Sequence, residues 1–354
     1  MLASDAHLPA PAAAPAPAAS PAAAAFPPLC RLQFRFQAAE PLCLPGYTGS
    51  AWHGVLGHAL RGAVCVTGQP TCAGCLLTAT CAYAVLFESP PADPALAARY
   101  SALPHPYVLE PAAPGEPQEL HAGGDFGLGI TLIGAATRFV PHLVYALRGA
   151  GARGFGRGRA RFALAEVLQE QTLGAADWSR IYAGDALLPI TTHTPALPPV
   201  PARPRLVLET PLRLKARGRY LDAAAVTGAD LLRALGQRAS LLQRLYAPPA
   251  DPADTRWTDA RAALTGVQIS APDLRWYDWT RFSNRQDTDM QLGGLLGELT
   301  LAGPALPAVW PLLWFGQFVH AGKNTAFGLG RYRVLETAAD ARPAQQSPSG
   351  RRPG

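Results

Sequence analysis

Two stretches of the chain spell nearly the same word. Phe155-Gly156-Arg157-Gly158-Arg159-Ala160-Arg161 matches Phe327-Gly328-Leu329-Gly330-Arg331-Tyr332-Arg333 at an offset of 172 positions, from 155 to 327. Each copy follows an apolar helical run and a glycine, and each leads into a strand-like segment. Two related units in tandem account for this pattern. The 354 residues allow it, at roughly 100–200 residues per domain.

The hydrophobic periodicity fills in the units. Leu32, Phe34 and Phe36 alternate with Arg31, Gln33 and Arg35, the period of a half-buried strand. Ser50 is placed to cap a helix from about Ala51, with Val55, Leu56, Ala59 and Leu60 on its apolar stripe. A cysteine-rich loop follows, then a strand at 126–134, a helix at 139–149 and a strand at 160–168. The second half reads as strand 205–215, helix 229–246, paired strands 274–283 and 292–301, helix 308–322 and strand 330–336. That order, β-α-β-β-α-β, is ferredoxin-like and α+β in class. The expected division is an N-terminal domain at 29–182 carrying the Cys-rich insertion (65–81), a Pro-rich linker at 183–204, and a C-terminal domain at 205–337. Ala/Pro-dominated residues 1–28 and polar residues 338–354 read as disordered tails.

Charge narrows the class of partner. A formal net charge of +6 and a pI near 9.1 favour a polyanion. Of 31 Lys plus Arg, only Lys215 and Lys323 are lysines, so arginine abundance by itself says little. No apolar run reaches the ~18 residues of a membrane span, and the N-terminus lacks the basic and apolar regions of a signal peptide. Six cysteines are too few for a secreted disulfide scaffold. A cytoplasmic protein without a membrane partner is expected.

The strongest local signal is GKNTAFGLGRY at 322–332. Its glycines allow close backbone approach and positive φ, and successive N–H groups can cradle an anion. It lacks the spacing of a P-loop and precedes a strand, so neither a nucleotide P-loop nor a dinucleotide fingerprint fits. Lys323, inside this loop, and Lys215, in TPLRLK (210–215), are compact cations in a chain that otherwise uses Arg. A tight structural turn is the plainer reading of the glycines.

These pieces together resemble a known family. TPLRLK, WYDWTRFSNRQ (276–286), LGGLLGEL (292–299) and FVHAGKNTAFGLGRY (318–332), with GSAWHGVLGHALR (49–61), CAYAVLFE (81–88) and GFGRGRARF (154–162), are similar to the CRISPR repeat-processing endoribonucleases of the repeat-associated mysterious protein (RAMP) superfamily. The resemblance covers about residues 29–337. It implies two tandem RNA-recognition-motif-like domains and cleavage of precursor CRISPR RNA within its repeats without a catalytic metal. The implied chemistry is attack by a 2′-hydroxyl on the adjacent phosphate, leaving a 2′,3′-cyclic phosphate and a 5′-hydroxyl. It also allows a partnership with a CRISPR effector complex.

Such a reaction needs a base, an acid and cations around the phosphorane. Among eight histidines the order of candidates is His58, one turn before Arg61; His320, just ahead of the glycine-rich loop; and His53, five residues or ~140° around the helix from His58. Tyr47 and Lys323 are reserves. Each histidine is equally readable as an ordinary core or surface residue. RNA contacts are expected from Arg61, Arg153, Arg157, Arg159, Arg213, Lys215, Arg281, Arg285 and Arg331, and from the loop residues Gly322, Lys323, Asn324, Gly328 and Gly330. Arginines interleaved with aromatics suit phosphates and unstacked bases.

Cys65, Cys72, Cys75 and Cys81 form C-x6-C-x2-C-x5-C, which suits a structural tetrahedral zinc. Unligated thiols and an iron–sulfur cluster are the alternatives. Two other functions stay open: a non-catalytic guide-RNA-binding subunit of the same superfamily, and a zinc-containing DNA-binding regulator, for which no duplex-reading helix is evident.

Overall fold

The computed structural model describes residues 26–90, 94–100, 102–156, 158–184, 186–247, 263–283, 288–291 and 293–335. The expected tails therefore lie outside the described residues, apart from 26–28. Those three are not a tail. Phe26 stacks on Phe315 with ring centroids 4.3 Å apart, and the Pro28 carbonyl accepts from Gly134 N–H (2.7 Å).

The first unit begins with β1 (Leu29–Ala38), whose Leu32, Phe34 and Phe36 are buried while Arg31, Gln33 and Arg35 point the other way. After β2 (Leu42–Leu44) comes α1 (Gly49–Val64). Its cap is Thr48, without a side-chain bond, rather than Ser50, and Trp52, Leu56, Ala59 and Leu60 make its buried face. A π-turn (Ala84–Glu88) and α2 (Pro94–Arg99) lead to β3 (Tyr107–Glu110), β4 (Gln118–Leu120) and β5 (Asp125–Ile133). Then follow α3 (Val140–Ala150), β6 (Phe162–Glu170), β7 (Trp178–Ala183) and β8 (Ala186–Leu187). The antiparallel sheet runs β3-β5-β1-β6-β7-β8. Without its last two strands, this is the strand order of a ferredoxin-like sheet.

The second unit repeats the plan with β9 (Arg205–Leu212), the hairpin β10 (Lys215–Ala216) and β11 (Arg219–Tyr220), and α4 (Gly228–Tyr246). Thr227 caps α4 by accepting from Asp230 N–H, and its hydroxyl donates to the Asp230 carboxylate. Next come β12 (Gln268–Tyr277), β13 (Thr280–Ser283), β14 (Thr288–Gln291), β15 (Gly294–Ala302), α5 (Leu306–Val319) and β16 (Tyr332–Leu335). The sheet order is β12-β15-β9-β16. The expected strand 274–283 is two: β12 pairs with β15, while β13 leaves the sheet to pair with β14.

The domains share their cores. Leu29, Ile133 and Leu173 of the first unit pack in the second core, and Ala326 of the second packs in the first. Gly134, at φ +58°, has no room for a Cβ beside the Tyr246 carbonyl, and the Tyr246 hydroxyl donates to Pro104 O (2.9 Å). The Pro-rich connection is also tied down. His193 and Leu29 exchange backbone hydrogen bonds at 2.8 Å each, and Trp310 Nε1–H donates to Pro198 O (2.8 Å). Among the described residues no helix is long and apolar enough to cross a membrane.

Candidate RNA-processing site at the domain junction

The repeated glycine words serve different ends. Gly156 and Gly328, equivalent under the offset, both take left-handed backbone, at φ +72° and +83°. Yet Phe155 is sealed in the first core, whereas Phe327 turns toward the domain junction. There the loop is wedged against the first domain, since a Cβ on Gly328 would strike the Leu109 carbonyl in β3 and Pro111 just beyond it. Thr210, fully buried, holds the loop from beneath. Its hydroxyl donates to Gly328 O (2.7 Å) and accepts from Arg331 N–H (2.8 Å).

The start of α1 meets this loop. Tyr47 is buried, its hydroxyl donates to Phe327 O (2.7 Å), and its ring lies edge-on to Trp279 at 5.0 Å. Burial raises the phenol far above its ordinary range, against the opposing pull of Arg331. Tyr47 is thus a strut between the domains, and its proton is committed. One turn along, the half-buried His53 ring stands 4.3 Å from the Phe327 ring, edge-on, and 5.1 Å from Phe87 of the π-turn.

The other two histidines are placed otherwise. His58 is exposed, and its carbonyl accepts from Arg153 on the α3 side of α1 (3.3 Å). His320 ends α5 at φ +62° and is wholly buried. Neither of its ring nitrogens meets a hydrogen-bond partner among the described residues. Burial holds its pKa down to about 3; Glu110 opposes this, while Arg331 and Arg238 reinforce it. A neutral imidazole with no exposed surface cannot meet a substrate in this conformation, so the expectation of His320 as base finds no access here. His105, half-buried, is lowered to about 4 by burial and by Arg238, and bonds Ser89 through Nδ1 (2.8 Å).

The backbone ties Lys323 to the strand end that precedes Lys215. Lys323 N–H donates to Arg213 O (3.0 Å), and Gly322, at φ +77°, passes so close to that carbonyl that no Cβ would fit. This locks the loop to the end of TPLRLK, two residues from Lys215, and both lysine side chains are exposed. Arg213 is buried instead. Its guanidinium lies 4.2 Å over the Tyr220 ring, and Nε and Nη1 have no partner among the described residues. Asn324 takes left-handed backbone at φ +63°, and Gly330, at φ +73°, donates to Pro211 O (3.0 Å).

Several expected RNA contacts are engaged elsewhere. Arg61 donates to the carbonyls of Gln69 and Pro70 (2.8 Å to the latter), so it clamps the Cys-rich segment. Arg331 pairs with Glu209 at 2.8 Å. Arg153 and Arg159 are exposed on the first glycine turn, Arg159 at φ +50°. Arg157 and Arg285 lie outside the described residues, as does the side chain of Arg281. The sequence reading gave no role to Thr210 or Phe87, although both lie inside its own motifs, TPLRLK and CAYAVLFE.

Comparison with known proteins agrees with this architecture. A family model described as an N-terminal domain matches residues 26–194, and that of the CRISPR-associated endoribonuclease Cas6 matches residues 206–332. The second unit of the chain is thus similar to the Cas6 family. No curated protein sequence matches it. Solved Cas6 structures share the two-domain α+β fold. One, a Cas6 product complex, is 16% identical with a TM-score of 0.51 over 88% of this chain and 100% of its own. Thermus thermophilus Cas6 is 15% identical, with a TM-score of 0.50 over 87% of this chain and 99% of its own. A chain of a partial Cas6–RT–Cas1–Cas2 complex is 15% identical, with a TM-score of 0.54 over 90% of this chain and 48% of its own.

Proposed function

We propose that this chain cleaves precursor CRISPR RNA within its repeats by transesterification without a catalytic metal. The 2′-hydroxyl attacks the neighbouring phosphorus, the bond to the 5′-oxygen breaks, and the products carry a 2′,3′-cyclic phosphate and a 5′-hydroxyl. His53 accepts the 2′-hydroxyl proton as general base. Lys323, exposed on the glycine-rich loop, and Lys215, exposed two residues beyond the carbonyl that holds it, meet the charge that grows on the phosphorane. The glycine-rich loop, held by its own backbone bonds, fixes where Lys323 sits.

One observation carries this reading. Of the three ranked histidines, His53 is the one that stands against the glycine-rich loop, 4.3 Å from Phe327, with access to solvent. The order of candidates therefore becomes His53 before His58 and His320.

The test is incubation of the purified protein with its repeat RNA in excess EDTA, beside His53→Ala and His58→Ala. A single EDTA-resistant cut leaving a cyclic phosphate is expected. It should be slowed ~10²–10⁴-fold in His53→Ala, the usual scale of a lost general base, and little changed in His58→Ala. Tight binding with no cut would overturn the enzyme reading in favour of a guide-RNA-holding subunit.

A further inference from the structure

Between α1 and the π-turn, residues 65–81 have little to hold them. Val66 and Leu76 are 80% and 99% exposed, and the segment contributes nothing to either core. Its order comes from short backbone turns built on its own cysteines. Cys75 N–H donates to Cys72 O (3.2 Å), Thr78 N–H to Cys75 O (3.1 Å), and Cys81 N–H to Leu77 O (2.8 Å). The Thr78 hydroxyl donates to Cys72 O (3.2 Å). Gly74, at φ +74°, makes the reversal between Cys72 and Cys75.

These turns gather the four sulfurs. Cys65, Cys72, Cys75 and Cys81 all line one small enclosure, and none is in a disulfide. The Thr67 hydroxyl lies 3.9 Å from the sulfurs of both Cys65 and Cys75. A tetrahedral zinc thiolate site, with Zn–S ≈ 2.3 Å, sets its sulfurs about 3.8 Å apart. Among the described residues no three ligating side chains have already closed to that geometry. Neutral thiols have no attraction to draw them together; an ion closes the site as it displaces their protons.

We propose that Cys65, Cys72, Cys75 and Cys81 bind one zinc ion as a closed tetrathiolate site. Four S–H groups release their protons to solvent, four Zn–S bonds form, and no electron is transferred. With four sulfur ligands no position remains for water, so the ion is structural. Arg61, bonded to the Gln69 and Pro70 carbonyls of the same segment, brings a positive charge beside an anionic centre. The ion joins the end of α1, at Cys65, to the start of the π-turn, where Cys81 O accepts from Val85 N–H (2.9 Å). That turn carries Phe87, against which His53 rests. Zinc would thereby brace the far side of the junction without touching RNA.

The test needs no RNA. The full chain is purified without added metal or chelator, and its metals are measured by mass spectrometry. Cys72→Ser and Cys75→Ser are compared with Cys43→Ser, an exposed cysteine outside the cluster. One zinc per chain is expected in wild type and Cys43→Ser, and its loss in the other two. Mercurial titration should release zinc as four thiols react. Cobalt(II) in its place should show the visible bands of tetrahedral thiolate coordination. Chymotrypsin should cut at Leu76–Leu77 once zinc is stripped, with the rest of the chain intact, which separates local loosening from misfolding. Substoichiometric zinc with four freely reactive thiols would overturn the proposal. So would iron with acid-labile sulfide in place of zinc.

Discussion

The phenol of Tyr47 and the carbonyl of Phe327, 280 residues apart in sequence, are joined by a 2.7 Å hydrogen bond across the domain junction. Tyr47→Phe removes the donor of this part-buried bond, which costs about 0.5–1.5 kcal/mol. The denaturant midpoint should fall accordingly. If Tyr47 only braces the loop, cleavage by the folded variant should keep the wild-type pH profile. Loss of one limb of that profile would restore Tyr47 as the acid.

Gly328→Ala should destabilise by more than about 2 kcal/mol. The position has φ +83°, and the new Cβ would meet Pro111 and the Leu109 carbonyl. Gly158→Ala is the control, because a Cβ there meets nothing within 4 Å. It should shift the midpoint by no more than about 0.5 kcal/mol.

Acid should weaken the fold in two stages. His320 is held at about 3 in the fold against 6.5 when free, so the unfolded chain takes up its proton first. Stability therefore falls as pH drops below 6.5, and His105, at about 4, adds to the same stage. Burial opposes ionisation of Glu110, but Arg31, bonded to both its oxygens, outweighs this and lowers it to about 2 from 4.5. Its contribution is whole above 4.5 and fades as pH falls toward 2. Urea midpoints measured from neutral pH down to 4.5 should show a slope that His320→Leu reduces without abolishing. An unchanged slope would remove His320 from the account.

Lys215→Ala and Lys323→Ala should each weaken RNA binding across sequences. If each touches a phosphate of a single strand, each should lower the slope of log affinity against log salt by about 0.7. Arg61→Ala should leave that slope alone, because its guanidinium is spent on the Gln69 and Pro70 carbonyls, and should instead expose residues 65–81 to chymotrypsin.

The tandem plan was legible because the strands that define it alternate. Leu32, Phe34 and Phe36 declare β1, and the Phe155 and Phe327 words fix the register of the two halves. Strand β3 was not, because Tyr107–Glu110 is buried at all four positions and has no alternation to display. Prolines at 106 and 111 enclose it, so it reads as loop. The histidine order had no such signal to rest on. Spacing shows that His53 and His58 face apart, but which of them meets the glycine-rich loop is decided by how the second domain docks. Likewise Arg213 and Lys215 look alike in sequence; only the folded chain reveals that Arg213 is packed inside and Lys215 is exposed.

The exchange of core residues has a consequence for how this molecule can grip a strand. With Leu29 and Ile133 seated in the second core and Ala326 in the first, opening the junction would strip apolar side chains from both interiors. The two sheets behave as the jaws of a fixed-gap caliper cast in one piece. On the proposed function, a repeat must bring the right contour to it, and selection then falls on the shape the RNA already holds.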